Sequence, residues 1–247
     1  MRSGWLPDSK QALLLEVALA DRADRALEAW RAWDADASLD GLDHGSFNLL
    51  PLVYRNLTRL QVEDQWLPRL RGVYRYTWSR NQLLMKTGAD AITLLEAAGI
   101  PTMVLKGAAT TVLQFDDLGV RPMVDFDLLV PRREAERAIR TLSSSFHPDE
   151  KFPDPERRLA VHHSTSFIDA DDRDLDLHWY SLWQSAPDDD FWEAAVPIEI
   201  AGVKSRALCP TDQLIHVCAH GTWWAPEGAP GWVADAVTIV RSSEGGE

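Results

Sequence analysis

Between Met103 and Val130 the chain reads MVLKGAATTVLQFDDLGVRPMVDFDLLV, and this stretch constrains the fold more than any other. An apolar run, Thr102 to Leu105, reads as a buried strand. Lys106 and Gly107 follow it, and then a segment of small residues that opens a helix. After Arg121 and Pro122 comes a second strand, Val124 to Val130, which carries Asp125 and Asp127. Side chains alternate faces along a strand, so the two carboxylates point one way and Val124, Phe126 and Leu128 the other. Neighbouring carboxylates repel unless positive charge lies between them. A hard divalent cation with oxygen ligands, typically Mg²⁺ shared with substrate phosphates, supplies that charge. The plainer alternative is a solvated Asp pair at a sheet edge.

A third strand repeats the pattern. Asp174, Asp176 and His178 are each two residues apart and share one face, while Leu175, Leu177 and Trp179 take the other. That polar face has to meet water, a metal or a ligand, because burying bare carboxylates is prohibitive. Lys106 and Gly107 stand where a strand meets a helix start. Gly107 lets backbone approach a phosphate, and Lys106 can neutralise one as a point charge. Arg121 can clamp a phosphate bidentately or pair with Asp125 or Asp127. Each cation has a solvated reading as well.

The blocks Lys106-Gly107, Arg121, Asp125-Phe126-Asp127-Leu128-Leu129-Val130 and Asp176-Leu177-His178-Trp179 resemble the core of the DNA polymerase β-like nucleotidyltransferase superfamily. Within it they are most similar to a bacterial family of uncharacterised nucleotidyltransferases. The resemblance covers roughly Leu94 to Val240 and is most specific in the last two blocks. It implies an α+β fold, a polymerase β-like core of mixed sheet and flanking helices preceded by an α-helical region. It also implies a catalytic, metal-holding set of Asp125, Asp127 and Asp176, with Mg²⁺ or Mn²⁺ as cofactor and an NTP as co-substrate. Lys106, Gly107, Arg121 and His178 would bind that nucleotide or support the site. His178 would touch substrate or orient Asp176. The implied reaction moves a nucleoside monophosphate onto an acceptor and releases pyrophosphate. The acceptor is left open: small molecule, peptide, protein or RNA end. One departure stands out. The superfamily's Gly-Ser is Gly107-Ala108 here, so a phosphate-binding hydroxyl is missing, and Thr110 or Thr111 is the nearest substitute. Two rival readings are a catalytically inactive nucleotide-binding module of the same fold and a metal-dependent phosphohydrolase.

A chain of 247 residues makes one large domain or two small ones. The expected division is residues 1–80, all-helical, and 81–247, the transferase core with C-terminal helices. Helix periodicity covers Ser9 to about Ala35, Ser46 to Leu60 with Pro51 in its first turn, and Asp64 to Ala98 with a break near Met85–Gly88. Gly107–Phe115 and Pro131–Ser143 read as helices and His147–Arg158 as a charged loop. Hairpins are expected at Thr165–Trp179 and Val196–Leu208. A helix Asp212–His220, capped by Thr211 and closed by Gly221, precedes a last one at Trp232–Val240. The polar stop at Arg241–Glu247 reads as a truncation point, since the resembling proteins often run longer.

A formal net charge of -13 argues against an extended nucleic-acid surface, though not against an anionic substrate at a locally basic site. Two cysteines, Cys209 and Cys218, make no disulfide framework, and no apolar signal core or membrane-length run is present. A reducing cytoplasm and no membrane partner are expected. His216 and His220 have the spacing of a zinc pair but lack the usual companions, so packing is the simpler role. Eleven tryptophans read as core fillers first and as a surface for planar ligands second.

Overall fold

The computed structural model describes residues 6–34, 41–148, 159–182, 188–224 and 230–244. Most of the charged loop, Trp5, Trp183 and the last three residues lie outside the described residues. Two compact units share the chain. One comprises Met1–Arg80, Asp117–Pro122 and Val217–Glu247, the other Asn81–Asp116 and Met123–His216.

In the first unit, Asp8 begins α1 (Ser9–Leu19) with a reciprocal cap. Its carboxylate accepts from the Gln11 amide, and the Gln11 side chain accepts from the Asp8 amide. The single helix expected over Ser9–Ala35 is instead two, α1 and α2 (Ala23–Asp34). The break is stabilised from outside. Asn56 donates to the Val17 and Ala20 carbonyls, and Arg59 to Ala20, so the carbonyls left open at the end of α1 are satisfied. Both donors lie on α3 (His44–Arg59), which Asp43 caps. Pro51 is thus the eighth residue of α3 and buried in its middle, not in the first turn. Trp30 and Trp33 stack in the core with ring centroids 5.0 Å apart.

Helix α4 (Leu67–Ala97) runs 31 residues without the expected break. Gly88 explains the misreading. A Cβ there would come within 2.3 Å of the Phe126 ring, so the glycine permits close packing and does not end a helix.

The second unit is built on a seven-stranded mixed sheet in the order β3-β4-β5-β2-β1-β7-β6. Its strands are β1 (Met103–Val104), β2 (Asp125–Leu129), β3 (His147–Pro148), β4 (Ser164–Ile168), β5 (Asp174–His178), β6 (Val196–Ile200) and β7 (Val203–Ala207). The β2–β5 and β1–β7 pairs are parallel and the rest antiparallel. Between β1 and β2 lies α5 (Lys106–Thr110), which widens into a π turn at Thr111–Phe115. A 3₁₀ turn at Arg132–Glu134 leads into α6 (Ala135–Leu142), and α7 (Asp189–Glu193) precedes the β6–β7 hairpin.

Alternation gives the sheet two unlike faces. Val104, Phe126, Leu128, Phe167, Leu175 and Leu177 are wholly buried on one. On the other, Met103, Leu105 and Leu129 join Leu208 in an apolar cluster covered by Phe191 and Trp192 of α7. The carboxylates lie on this second face.

The final helices, α8 (Pro210–Trp224) and α9 (Gly231–Glu244), are longer than expected. Gly221 does not close α8. A Cβ there would sit 2.2 Å from the Trp232 side chain, again a close approach. Of the tryptophans, Trp30, Trp33 and Trp179 fill core, whereas Trp78 and Trp223 are exposed.

Replacing Gly88 by Ala sets helix propensity against overpacking. The alanine gains about 1 kcal/mol in a helix interior, while the forced contact costs about 1–3 kcal/mol against a ring with no room to move. Urea denaturation of Gly88→Ala is expected to show a net loss of up to about 2 kcal/mol.

Candidate functional site

The parallel register of β2 and β5 sets Asp125 opposite Asp174 and Asp127 opposite Asp176. On the far side of β5, Ser166 lies opposite Asp176. Two polar strands thus run side by side where the β2–β5 sheet face is not covered by the apolar cluster. Asp127 is almost fully buried, Asp176 half-buried and His178 buried. Each offers one ligand atom, and these three atoms lie within 4.8 Å of one another. It is the one such group of three among the described residues.

Asp127 is the pivot. Lys106 Nζ donates to its Oδ1 at 2.6 Å, and His178 Nε2 lies 2.9 Å from the same oxygen. An ionised carboxylate only accepts, so the Nε2 proton points at Asp127. Nδ1 of His178 is buried and has no hydrogen-bond partner among the described residues. Burial pushes the Asp127 carboxyl upward, but Lys106 and His178 outweigh it and hold the group well below the usual carboxylate range. For Lys106 burial works downward. Asp127 first, then Asp125 and Asp176, hold the ammonium above its ordinary value. His163, whose ring centroid is 5.5 Å from that of His178, is pushed down to about 4, by burial first and then by its neighbours His178 and Lys106.

Lys106 reaches this position through unusual backbone. Its φ is +46°, a left-handed conformation that costs a non-glycine residue roughly 1–2 kcal/mol. Several contacts fix it. The Leu105 amide donates to the Asp127 carbonyl at 3.0 Å. Thr110 Oγ1 donates to the Lys106 carbonyl at 2.9 Å, and Gln213 of α8 donates to Thr110 Oγ1 at 2.9 Å. Gln213 and Thr110 are buried. Gln213 was invisible in the sequence reading, because nothing local links it to a residue more than a hundred positions away.

The structure therefore brings together Lys106, Asp127, Asp176 and His178. Asp125 shares their face but is not in the three-residue group. Gly107 is buried in the first turn of α5. His178 meets Asp127, where an orienting bond to Asp176 had been one expectation. Arg121 Nε donates to both oxygens of Asp235 at 2.9 Å, inside the first unit. Thr110 and Thr111 are fully buried, the latter facing the Met123 sulfur, so their hydroxyls point into packing. His216 donates from Nε2 to the Ser181 carbonyl at 2.8 Å, the packing role expected over zinc.

Residues 47–246 match the family model described as uncharacterised nucleotidyltransferase. The chain belongs to this nucleotidyltransferase family. The match spans the sheet, both acidic strands, α4 and all but the start of α3. Among solved structures, an antigenic nucleotidyltransferase-like protein from Paracoccidioides brasiliensis is 17% identical over 64% of this chain and 76% of its own, with a TM-score of 0.44. The antibiotic-resistance factor ANT(2'')-Ia is 14% identical over 65% of this chain and 89% of its own, with a TM-score of 0.41. No functionally curated protein matches the chain. Among the described residues no helix is long and apolar enough to cross a membrane.

Burial holds the His216 imidazole down at about 4, despite its bond to Ser181. The depressed value means that the folded state resists protonation while the unfolded chain takes up a proton near pH 6.5. Stability at this residue is therefore full above pH 6.5 and declines as pH falls from 6.5 towards 4, by an amount on the order of 3 kcal/mol. Denaturant titrations across pH 4–7 on wild type and His216→Gln check this, since the variant is expected to lose that part of the slope.

Proposed function

We propose that this nucleotidyltransferase-family chain is an active, metal-dependent enzyme that moves a nucleoside monophosphate from an NTP to an acceptor and releases pyrophosphate. The observation supporting it most directly is the convergence of Asp127, Asp176 and His178 beside the Lys106 ammonium. The donor set fits a divalent cation. Carboxylate oxygens suit Mg²⁺ and Mn²⁺, and His178 offers the third ligand atom of the same group. Asp125, Asp127 and Asp176 would hold the metal. When bound, such ions stabilise charge on the attacking and leaving oxygens of an in-line displacement.

The chain's own groups then have distinct tasks. The acceptor oxygen forms a bond to the α-phosphorus as the bond from that phosphorus to the pyrophosphate oxygen breaks. Asp176, the half-exposed carboxylate of the group, takes the acceptor hydroxyl's proton, directly or through water. Lys106 offsets negative charge on the triphosphate as a point charge, and Gly107 lets the backbone come close to it. His178 fixes the Asp127 carboxylate through its Nε2 bond. Met103, Leu105 and Leu129 form an apolar wall on the same sheet face, which strengthens each electrostatic contact by excluding water. Arg121 is given no part in this scheme, because its guanidinium is engaged by Asp235.

The test is a pyrophosphate-release assay with each of the four NTPs, Mg²⁺ or Mn²⁺, labelled α-phosphate, and cell extract as the acceptor source. Transfer of label is expected, lost on chelation and reduced at least about a hundredfold in Asp127→Asn and in Asp176→Asn. Full activity in Asp127→Asn would sink the site assignment. NTP binding without release would indicate an inactive binding module, and release without any acceptor a phosphohydrolase.

A further inference from the structure

The two donors that meet on Asp127 Oδ1 are held very differently. His178 is 2% exposed, donates from Nε2 across 2.9 Å and lies against the His163 ring. Lys106 Nζ reaches the same oxygen at 2.6 Å, yet its side chain is 18% exposed where that of Asp127 is 4%. The Lys106 backbone is pinned by the Thr110 bond to its carbonyl and by the Gln213 bond to Thr110. The four-carbon stem is not pinned, and its rotations can carry the ammonium outward. Asp127 is the one hydrogen-bond partner of that ammonium among the described residues. Asp127 also belongs, with Asp176 and His178, to the group whose ligand atoms lie within 4.8 Å of one another. A divalent cation held by that group shares a carboxylate with Lys106. Like charges so close repel strongly where little water screens them. The ammonium also acts on Asp125 and Asp176, and so offsets part of the negative charge that draws a metal.

We propose that Lys106 competes with the divalent ion for the charge of Asp127, so that metal binds weakly until phosphates of the nucleotide draw the ammonium away. The inference rests on the transfer reading and adds an order of events to it, with phosphate arriving before or together with the metal. His178 makes the exchange tolerable. It keeps its bond to Oδ1 when Lys106 swings out, so the buried carboxylate is never without a donor. The choice of cation fits the same role. An arginine would fork onto both carboxylate oxygens and hold them, whereas an ammonium is a point charge bonded to one. The division between a fixed backbone and a free stem fits as well. The left-handed turn at Lys106 keeps the root of the side chain at the site while its charge moves between carboxylate and phosphate. By linkage the effect is mutual, so whatever weakens the bond between Lys106 and Asp127 strengthens metal binding.

The test reads metal binding and not turnover. Mn²⁺ binding is followed by electron paramagnetic resonance, without nucleotide, in wild type, Lys106→Gln and Lys106→Arg. Glutamine keeps an N–H for the Asp127 carboxylate and removes the charge, while arginine keeps the charge. Lys106→Gln is expected to bind Mn²⁺ at least about tenfold tighter than wild type, and Lys106→Arg no tighter. The gain is expected to vanish in Lys106→Gln/Asp127→Asn, which ties it to that carboxylate. Circular dichroism checks that each variant folds. The wild-type protein gives a second reading that needs no Lys106→Gln. Its Lys106 Nζ resonance, identified by its loss in Lys106→Arg, is expected to shift when Mg²⁺ is added. It is also expected to shift with tripolyphosphate in EDTA, which brings phosphate charge without base or metal. Equal Mn²⁺ affinity in wild type and Lys106→Gln overturns the proposal and leaves the transfer reading standing. So does an Nζ resonance that Mg²⁺ binding or tripolyphosphate leaves in place. Absence of Mn²⁺ binding in every form overturns the proposal and the metal-dependent reading together.

Discussion

A single buried carboxylate governs the second unit. Asp127 is almost without solvent contact, and an unpaired charge at that depth would cost several kcal/mol. The fold answers with two donors on one oxygen, Lys106 and His178. Each donor in turn imposes a condition. Lys106 reaches Asp127 only from a left-handed backbone turn, which Thr110 and Gln213 hold from below. His178 reaches it only if β5 runs parallel to β2 in the observed register, because a one-residue slip would turn the ring to the opposite face. Strand order, loop conformation and the placement of α8 are therefore coupled through one oxygen atom.

Under the proposed reaction, the same arrangement would let an acidic chain present a site for an anionic nucleotide. Asp125, Asp127 and Asp176 alone would repel a triphosphate. Lys106 lies among them with its charge secured by those same acids, so the local field differs from the net charge. On that proposal, the pairing that stabilises the fold without ligand would also keep a cation where phosphate charge arrives. The apolar cluster of Met103, Leu105 and Leu129 raises the strength of every such interaction on that sheet face.

Local periodicity made much of this legible. The two-residue spacing of Asp125 and Asp127, and of Asp174, Asp176 and His178, is a property of single strands, and their shared face followed from it. The apolar partners Phe126, Leu128, Leu175 and Leu177 were equally readable. Glycine misled where it was treated as punctuation. Gly88 and Gly221 both sit inside helices, and at each an aromatic side chain from another element, Phe126 or Trp232, presses against the backbone. Pro51 misled for the opposite reason. It was placed in a first turn by its own preference, while the Asp43 cap starts α3 two turns earlier. The break between α1 and α2 depends on Asn56 and Arg59, which no window around Ala20 contains.

Residues whose role lies in a long-range bond were the ones that escaped. Arg121 was legible as a cation near an acidic strand, and its position four residues before Asp125 suggested a phosphate or a neighbouring Asp. Its guanidinium instead meets both oxygens of Asp235, a bidentate pair shielded from water, where leaving either partner alone would be costly. Spacing cannot distinguish these outcomes, because both satisfy the same chemistry and differ only in which carboxylate the fold delivers. The arginines of α4 show the converse. With no acid in their stretch and no carboxylate brought to Arg71 or Arg75 among the described residues, the fold leaves their charge facing outward. Lys106 and Arg121 are paired with buried acids and set the geometry of their units, whereas Arg71 and Arg75 stand exposed with no ion-pair partner among the described residues.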